Sequence, residues 1–189
     1  MDVVSHWLWG TLVTRKRVHW KVSGPMSVLP DLVAFVPSAI YSFATGMERT
    51  GVDETTTTAE FPSIAWNMYQ LSHSIVISGV LMLVTMAFLI RHPHHRLTSF
   101  ITSPSSRPFT LAFLIWLPWF VHILVDIPTH TLRFFPTPVL YPLSDAMFDG
   151  VRWSHPVIWF SNLALLTGLW GFVLYRERKS NHPNPQVSQ

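Results

Sequence analysis

The segment FTLAFLIWLPWFVHILVDI, residues 109–127, is long and apolar enough to form a membrane-spanning helix. It also carries two metal-competent groups, His122 and Asp126, near its end. Side chains four residues apart on a helix share one face, with their Cβ atoms about 6 Å apart. Ionisable groups in a hydrocarbon layer are costly and usually have a function. The segment therefore predicts a membrane helix and, on it, half of a site for a divalent ion.

The composition is that of a small integral membrane protein. Of the 189 residues, 49% are apolar and 12% are charged, and this charged fraction is about half of that in soluble domains. The chain has no cysteine, which excludes disulfides, thiolate metal sites and a cysteine nucleophile. The net charge of +3 is modest, so no nucleic-acid partner is expected. We predict one membrane-embedded helical domain over residues 1–179 and a disordered tail over residues 180–189.

Two further segments, residues 72–90 and 156–175, are also long and apolar enough to span a membrane. A fourth region, residues 27–45, contains two prolines and an aspartate. It is either another span or a broken helix at the interface or within the bundle. Residues 3–13 are apolar but too short to span. We predict an all-α fold: an integral membrane helical bundle with three to four transmembrane helices and short N-terminal helices.

Charges beside the apolar segments predict the orientation of the chain. The loop after residue 90 carries arginines and no acid, and the tail after residue 175 begins with a second basic cluster. By the positive-inside rule both lie in the cytoplasm. We therefore predict an integral protein of the bacterial inner membrane with its site on the outer, periplasmic face. The connection over residues 128–155, rich in proline and aromatics, is expected to be an ordered interfacial loop over that site.

This orientation brings several ionisable side chains to the same outer face. The set consists of His73, His122, Asp126, His130 and His155. Asp31 joins it only if its helix is broken or shallow, because a full span starting inside would put Asp31 on the wrong face. Another histidine cluster, residues 92–95, falls on the cytoplasmic side among arginines, and we predict that it contacts lipid headgroups.

Imidazole nitrogens and carboxylate oxygens are ligands for zinc, and a catalytic zinc site keeps a position open for water. The candidate metal ligands are His6, Asp31, His73, His122, Asp126 and His130, with Asp2 and His155 behind them. Several of them have a simpler explanation when taken alone. The His122–Asp126 pair can be a hydrogen-bonded pair at a helix end, Asp31 an N-cap, and His6 an interfacial residue among tryptophans. Convergence on one face favours the metal site.

Four short motifs, in this order, resemble those of the YdjM-type membrane-bound metal-dependent hydrolases. They are the opening Met1-Asp2-Val3-Val4-Ser5-His6-Trp7-Leu8-Trp9-Gly10, then Leu29-Pro30-Asp31, Ser72-His73-Ser74 and His122-Ile123-Leu124-Val125-Asp126. The resemblance covers the chain up to about His130. That family looks related to the zinc-dependent phospholipases C and single-strand nucleases, which are all-α proteins that bind zinc through histidine and aspartate and cleave phosphoesters.

The resemblance implies which residues bind the metal. It assigns His6, Asp31, His73, His122 and Asp126 as ligands, with His130 as a looser candidate. Ser72 stands where the family usually has threonine. A second His-x-x-x-Glu motif, used by the soluble phospholipases, is missing. This departure favours one or two zinc ions, or another divalent metal, over a three-zinc cluster.

The leading hypothesis is a membrane-bound metal-dependent hydrolase that activates water against a phosphoester or related ester. Membrane lipids are the expected partners, and a lipid-linked substrate fits a site that opens at the membrane surface. Asp126 or Asp31 is the predicted catalytic base that orients the water. The alternative is a non-enzymatic membrane subunit that binds a metal or a partner. Haem ligation by paired histidines is a third alternative, disfavoured because the accompanying carboxylates suit a harder cation.

Overall fold

A computed structural model describes residues 1–47, 51–92, 99–101 and 107–181. Across these residues the structure is helical, with isolated bridges and no β-strand, so the predicted all-α fold is confirmed. The α-helices are α1 Val3–Val13, α2 Trp20–Thr45, α3 Ser63–Ser72, α4 Ile75–Arg91, α5 Pro108–Thr129 and α6 Pro156–Asn181, with a 3-10 turn at Thr58–Glu60. Most of the predicted headgroup-contacting histidine cluster, and the predicted tail after residue 181, lie outside the described residues.

Three of these helices, α2, α5 and α6, are long and apolar enough to cross a membrane. The helices α3 and α4 pass the same test only together, and a bend of 57° separates them. The predicted range of three to four spans is therefore confirmed. The segment expected as the first clear span, residues 72–90, is only the second half of this bent pair.

Residues 27–45 belong to one continuous helix, α2, which starts at Trp20 and ends at Thr45. This helix contains three internal prolines. Each proline removes a backbone hydrogen bond, but α2 packs against α1, α3 and α5, which support it on several sides. Membrane helices tolerate proline when neighbouring helices surround it. Asp31 lies in the interior of α2, so the N-cap interpretation is wrong. The prediction that Asp31 can join the site only from a broken or shallow helix is wrong too.

Asp31 reaches the other candidate ligands because all of them meet inside the helical bundle, well away from the end of the bundle where α2 starts. The start of α2 lies beside the α4–α5 connection, where the His19 N–H donates to the Phe100 carbonyl over 2.7 Å. From that end, Asp31 is about 16 Å along α2 and His122 about 21 Å along α5, at 1.5 Å per residue. A continuous α2 therefore brings its aspartate to nearly the depth of the α5 histidine.

The connection after α5 folds back onto the end of that helix. The Gly150 N–H donates to the His130 carbonyl over 2.8 Å, and the Trp153 N–H donates to the Thr129 carbonyl over 2.9 Å. A Cβ at Gly150 would clash with the carbonyl oxygens of Pro128 and His130. Only glycine allows this close approach of two backbone segments, and the approach fixes the position of His130.

The last helix, α6, is almost fully exposed along its apolar length, as expected for a helix that faces lipid. It contacts α1 through polar side chains. Asn162 accepts a hydrogen bond from Trp9 Nε1 over 2.9 Å and donates one to Ser5 Oγ over 2.8 Å. Toward the other end, Arg15 Nε donates to Glu177 Oε1 over 3.1 Å. These contacts attach α6 to the helix that carries His6.

Candidate metal centre

Four predicted ligands, Asp31, His73, His122 and Asp126, form one compact group inside the bundle. Each offers a ligand atom, and these atoms all lie within 4.8 Å of one another. Asp31 comes from α2, His73 from the bend between α3 and α4, and the other two from α5. His73 and Asp126 are completely buried. The group can therefore hold a metal ion away from bulk water.

The distances from the two histidines to each other and to the carboxylates are close to those around a tetrahedrally coordinated metal ion. His73 Nε2 and His122 Nε2 are 3.0 Å apart, and they lie 3.4 and 3.1 Å from Asp126 Oδ2. Asp31 Oδ1 is 3.6 Å from His73 Nε2 and 3.7 Å from His122 Nε2. A tetrahedral ion with bonds of about 2.1 Å separates its ligand atoms by about 3.4 Å. The observed distances, 3.0 to 3.7 Å, fall on both sides of that value.

The other oxygens of the two carboxylates face the remaining predicted ligands. His6 Nε2 is 3.1 Å from Asp126 Oδ1 and 4.0 Å from Asp31 Oδ2. His130 Nε2 is 3.6 Å from Asp126 Oδ1. The amino group of Met1 also lies here, 2.6 Å from Asp126 Oδ1. All six side chains predicted as metal ligands are thus brought to one place, and their role as ligands stays a prediction.

Hydrogen bonds hold three of the histidine rings with Nε2 toward the centre. His122 Nδ1 lies 2.7 Å from the Ser27 carbonyl, and His130 Nδ1 lies 2.7 Å from the Phe135 carbonyl. A carbonyl can only accept, so both Nδ1 atoms carry the proton and leave a lone pair on Nε2. His73 Nδ1 is 2.9 Å from Ser72 Oγ. Metal-binding histidines commonly have such a partner on the second ring nitrogen, which fixes ring orientation and tautomer.

Tyr69 supports two of the histidines and is the clearest residue that the sequence did not single out. It is completely buried. Its ring stacks on His73 with centroids 3.7 Å apart, and its hydroxyl lies 3.0 Å from His130 Nδ1. Its place on the α3 turn before His73 is the only sequence signal for this role. The partners Ser27 and Phe135 act through backbone carbonyls, which no sequence motif reveals.

Close helix packing brings His6 to the group. A Cβ at Gly10 would clash with Ser27, and one at Gly24 would clash with the Trp7 ring. These glycines let α1 and α2 approach closely. The His6 ring then stacks on His122, with centroids 3.6 Å apart, and is completely buried. The interpretation of His6 as an interfacial residue is therefore wrong.

The two residues placed behind the main candidates lie elsewhere. Asp2 is the N-cap of α1 and accepts hydrogen bonds from the N–H of Ser5 over 2.9 Å and from its hydroxyl over 2.6 Å. His155 is exposed just before α6. His155 therefore lies outside the buried group of candidate ligands.

A cation fits the unsatisfied atoms of the group. Among the buried side-chain atoms of the described residues, Asp126 Oδ2 and both ring nitrogens of His6 have no hydrogen-bond partner. His6 Nε2 is near Asp126 Oδ1, but the two atoms are not aligned for a hydrogen bond. Buried polar atoms normally have partners. Metal ions bound to Asp126 Oδ2 and to one ring nitrogen of His6 would satisfy these two atoms.

Two of the predicted ligands, His6 and His130, lie outside the spanning helices and have a lowered pKa. Burial lowers the pKa of His6 to about 4 and the pKa of His130 to about 3. Both rings are therefore neutral at pH 7, the state in which imidazole binds a metal. Neutral imidazoles and carboxylates without thiolates suit zinc or a similar divalent ion.

No protein-family model, curated protein or solved structure matches this chain. The geometry of the site and the ordered motifs are therefore the features that indicate a function.

Proposed function

We propose that the protein is a membrane-bound, metal-dependent hydrolase that cleaves a phosphoester or a related ester. The observation that carries the proposal is the buried set of four ligand atoms at coordination spacing, from Asp31, His73, His122 and Asp126. The ordered motifs that resemble YdjM-type hydrolases supply the reaction class. Zinc fits the ligand set best, and the bacterial inner membrane, with the site reached from the periplasmic side, remains the expected location.

The two oxygens of each carboxylate face different histidines, and this arrangement suggests two ion positions. Asp31 Oδ1 and Asp126 Oδ2 face His73 and His122, which defines the first position. Asp31 Oδ2 and Asp126 Oδ1 face His6, and Asp126 Oδ1 also faces His130, which defines the second. The Met1 amino group, 2.6 Å from Asp126 Oδ1 and 3.2 Å from His130 Nε2, lies at this second position and would have to move for an ion to bind there. Both aspartates would contribute one oxygen to each position. The longest of these distances, 4.0 Å from His6 to Asp31, belongs to the second position.

A bound divalent ion supplies Lewis acidity and makes a water nucleophilic near neutral pH. The protein supplies the base, and the structure favours Asp31 over Asp126 for that role. Asp126 is completely buried and surrounded by four histidines. Asp31 lines an open cleft together with His130, so its carboxylate can reach both water and substrate. A base must come within hydrogen-bond distance of the proton that it removes.

The first test is metal content, measured by mass spectrometry on protein purified in detergent and reloaded with zinc. We expect about two zinc ions per chain, the number of sites that the ligand set provides. His122→Ala should lose the ion of the first position, His130→Ala that of the second, and Asp126→Ala both. His155→Ala, which removes an exposed histidine outside the group, should keep both. A wild-type protein that binds no divalent metal overturns the proposal.

The second test is turnover. Hydrolysis of bis(p-nitrophenyl) phosphate and of p-nitrophenyl esters should require metal and should fall by about 10²–10⁴ in Asp31→Asn, the usual contribution of a general base. Full metal binding without metal-dependent turnover of either class would support the non-enzymatic metal-binding subunit instead. An absorbance spectrum of the purified protein tests the haem alternative directly.

A further inference from the structure

A cleft with a volume of about 840 Å³ opens beside the candidate metal centre. Two of the predicted ligands, Asp31 and His130, form part of its wall. The rest comes from the start of the chain, from α2, from residues 52–54 and from the connection before α6. Ligand sites typically have volumes of about 300–1,000 Å³. The size and position of the cleft are therefore those of a substrate site.

The wall of the cleft is mainly apolar and aromatic. Its apolar side chains are Val3, Leu32, Phe35, Val52, Phe61, Phe134 and Trp153. Leu32 and Val52 are 42% and 58% exposed, so they present apolar surface that no other described part of the chain covers. Leu32 also directly follows Asp31 on α2. Apolar surface next to Asp31 and His130 suits an amphiphile whose reacting group lies at these two residues.

The charged side chains that line the cleft are all acidic. They are Asp2, Asp31, Asp53 and Glu54, and no lysine or arginine side chain is among the lining residues. Met1 also lines the cleft, and its amino group is paired with Asp126. Arg152, near the cleft, donates to the main-chain oxygen of Glu54 and lies over the Phe134 ring. Arg152 thus contacts neutral groups here, and no ion pair joins it to Asp53 or Glu54 among the described contacts.

Asp53 is a permanent negative charge at the mouth of the cleft. Its Oδ1 accepts hydrogen bonds from the hydroxyl and N–H of Thr55 over 2.8 Å, and from the N–H and hydroxyl of Thr56 over 3.0 Å. These bonds, led by that of the Thr55 hydroxyl, lower the pKa of Asp53 to about 2. The carboxylate therefore stays ionised at any physiological pH, and Asp53 and Glu54 repel a second anionic group on a bound molecule.

We propose that this cleft binds an amphiphilic phosphoester, with its hydrocarbon part against the apolar wall, and that Asp53 and Glu54 select a cationic over an anionic head group. The proposal deepens the proposed function and rests on it. The scissile group lies at Asp31 and His130. A quaternary or primary ammonium of the head group lies at the acidic mouth, where the rings of Phe61, Phe134 and Trp153 can also contact it.

Substrate selectivity tests the role of the acidic mouth. Protein in nanodiscs is given two phosphodiesters with the same C16 chain, one with a choline and one with a glycerophosphate head group. We expect kcat/KM to favour the choline ester by about tenfold, a ratio that a difference of about 1.4 kcal/mol provides. In Asp53→Asn/Glu54→Gln the ratio should fall toward one, with zinc content unchanged. Asp145→Asn, an exposed acid outside the cleft, should keep it. Equal rates for both esters in the wild type overturn the charge selection.

A matched pair of helix variants tests the apolar wall. Leu32 and Val36 are both exposed on α2, at 42% and 46%, but only Leu32 lines the cleft. Leu32→Trp should raise KM for the C16 ester by about tenfold, which corresponds to about 1.4 kcal/mol of lost binding. Val36→Trp should leave KM within twofold. Equal effects of the two substitutions overturn the binding mode.

Photo-crosslinking separates failure of this proposal from failure of the hydrolase proposal. The probe is a non-hydrolysable C16 alkyl phosphonocholine with a diazirine in its chain, mapped by mass spectrometry in zinc-loaded protein. Labelling of peptides that contain Leu32, Val52 or Trp153, reduced in Leu32→Trp, supports the cleft even if no ester is turned over. Labelling confined to the exposed face of α6 overturns the cleft even if phosphoesters are hydrolysed.

Discussion

The Nε2 atoms of His73 and His122 lie 3.0 Å apart and both face Asp126 Oδ2. His122 carries its proton on Nδ1, which is bonded to the Ser27 carbonyl, so its Nε2 offers a lone pair. A ring nitrogen with a lone pair, a second histidine and a carboxylate oxygen at these distances can provide three ligands to one metal ion. Asp31 Oδ1 is the fourth.

Metal removal should destabilise the protein, because the ion offsets the negative charge of two enclosed carboxylates. A ligand present at a thousand times its Kd contributes about 4 kcal/mol of stability. We therefore expect a chelator to lower Tm in a thermal unfolding measurement in detergent, and added zinc to restore it. Asp126→Asn should make Tm insensitive to the chelator. An identical Tm with and without chelator, in protein shown to bind zinc, would contradict this.

Gly10→Ala tests the close approach of α1 and α2. The added methyl group clashes with Ser27, whose carbonyl also holds His122. Overpacking of this kind costs about 1–3 kcal/mol, and we expect such a loss in the free energy of unfolding together with weaker zinc binding. Gly79→Ala is the control, because its Cβ meets open space within α4. That variant should be neutral or slightly more stable, since alanine favours helix.

Asn162→Leu tests the attachment of α6. It removes the hydrogen bonds to Trp9 and Ser5, and interhelical hydrogen bonds in membranes are worth about 0.6–2 kcal/mol each. Proteolysis of the α5–α6 connection in nanodiscs should become faster, and the free energy of unfolding should fall. Ser161→Ala, an exposed neighbour on α6, should behave like the wild type. Unchanged proteolysis of Asn162→Leu would show that lipid, and not Asn162, holds the helix in place.

Gly150→Ala tests the position of His130. The methyl group clashes with the carbonyl oxygens of Pro128 and His130, so the connection must move away from the end of α5. Because supporting contacts typically change metal affinity by about 10–100-fold, we expect weaker binding at the second ion position and unchanged binding at the first. Zinc titration calorimetry measures both. Gly51→Ala, with open space around it, is the control. Loss of both ions would instead indicate general misfolding.

Part of the fold follows directly from local sequence. The runs that became α5 and α6 are apolar over the length of a bilayer, and their predicted bounds agree with the helices to within a few residues, apart from the longer end of α6. These signals do not depend on which other helices pack against the segment. The bend at His73 and the continuity of α2 were not predictable in the same way. Both depend on which helices pack against α2 and α4.

The candidate site, like the fold, was predictable from local sequence only in part. By itself, the sequence determined that His122 and Asp126 share a helical face, because four-residue spacing on a helix guarantees it. It also supplied, through ordered motifs, the identity of the other candidate ligands. Only the tertiary structure decided that Asp31 joins them from within an unbroken α2, and that His6 lies buried against His122 while His155 remains exposed. The physical reason is that distances between helices depend on packing, which Gly10 and Gly24 permit and which no local pattern encodes.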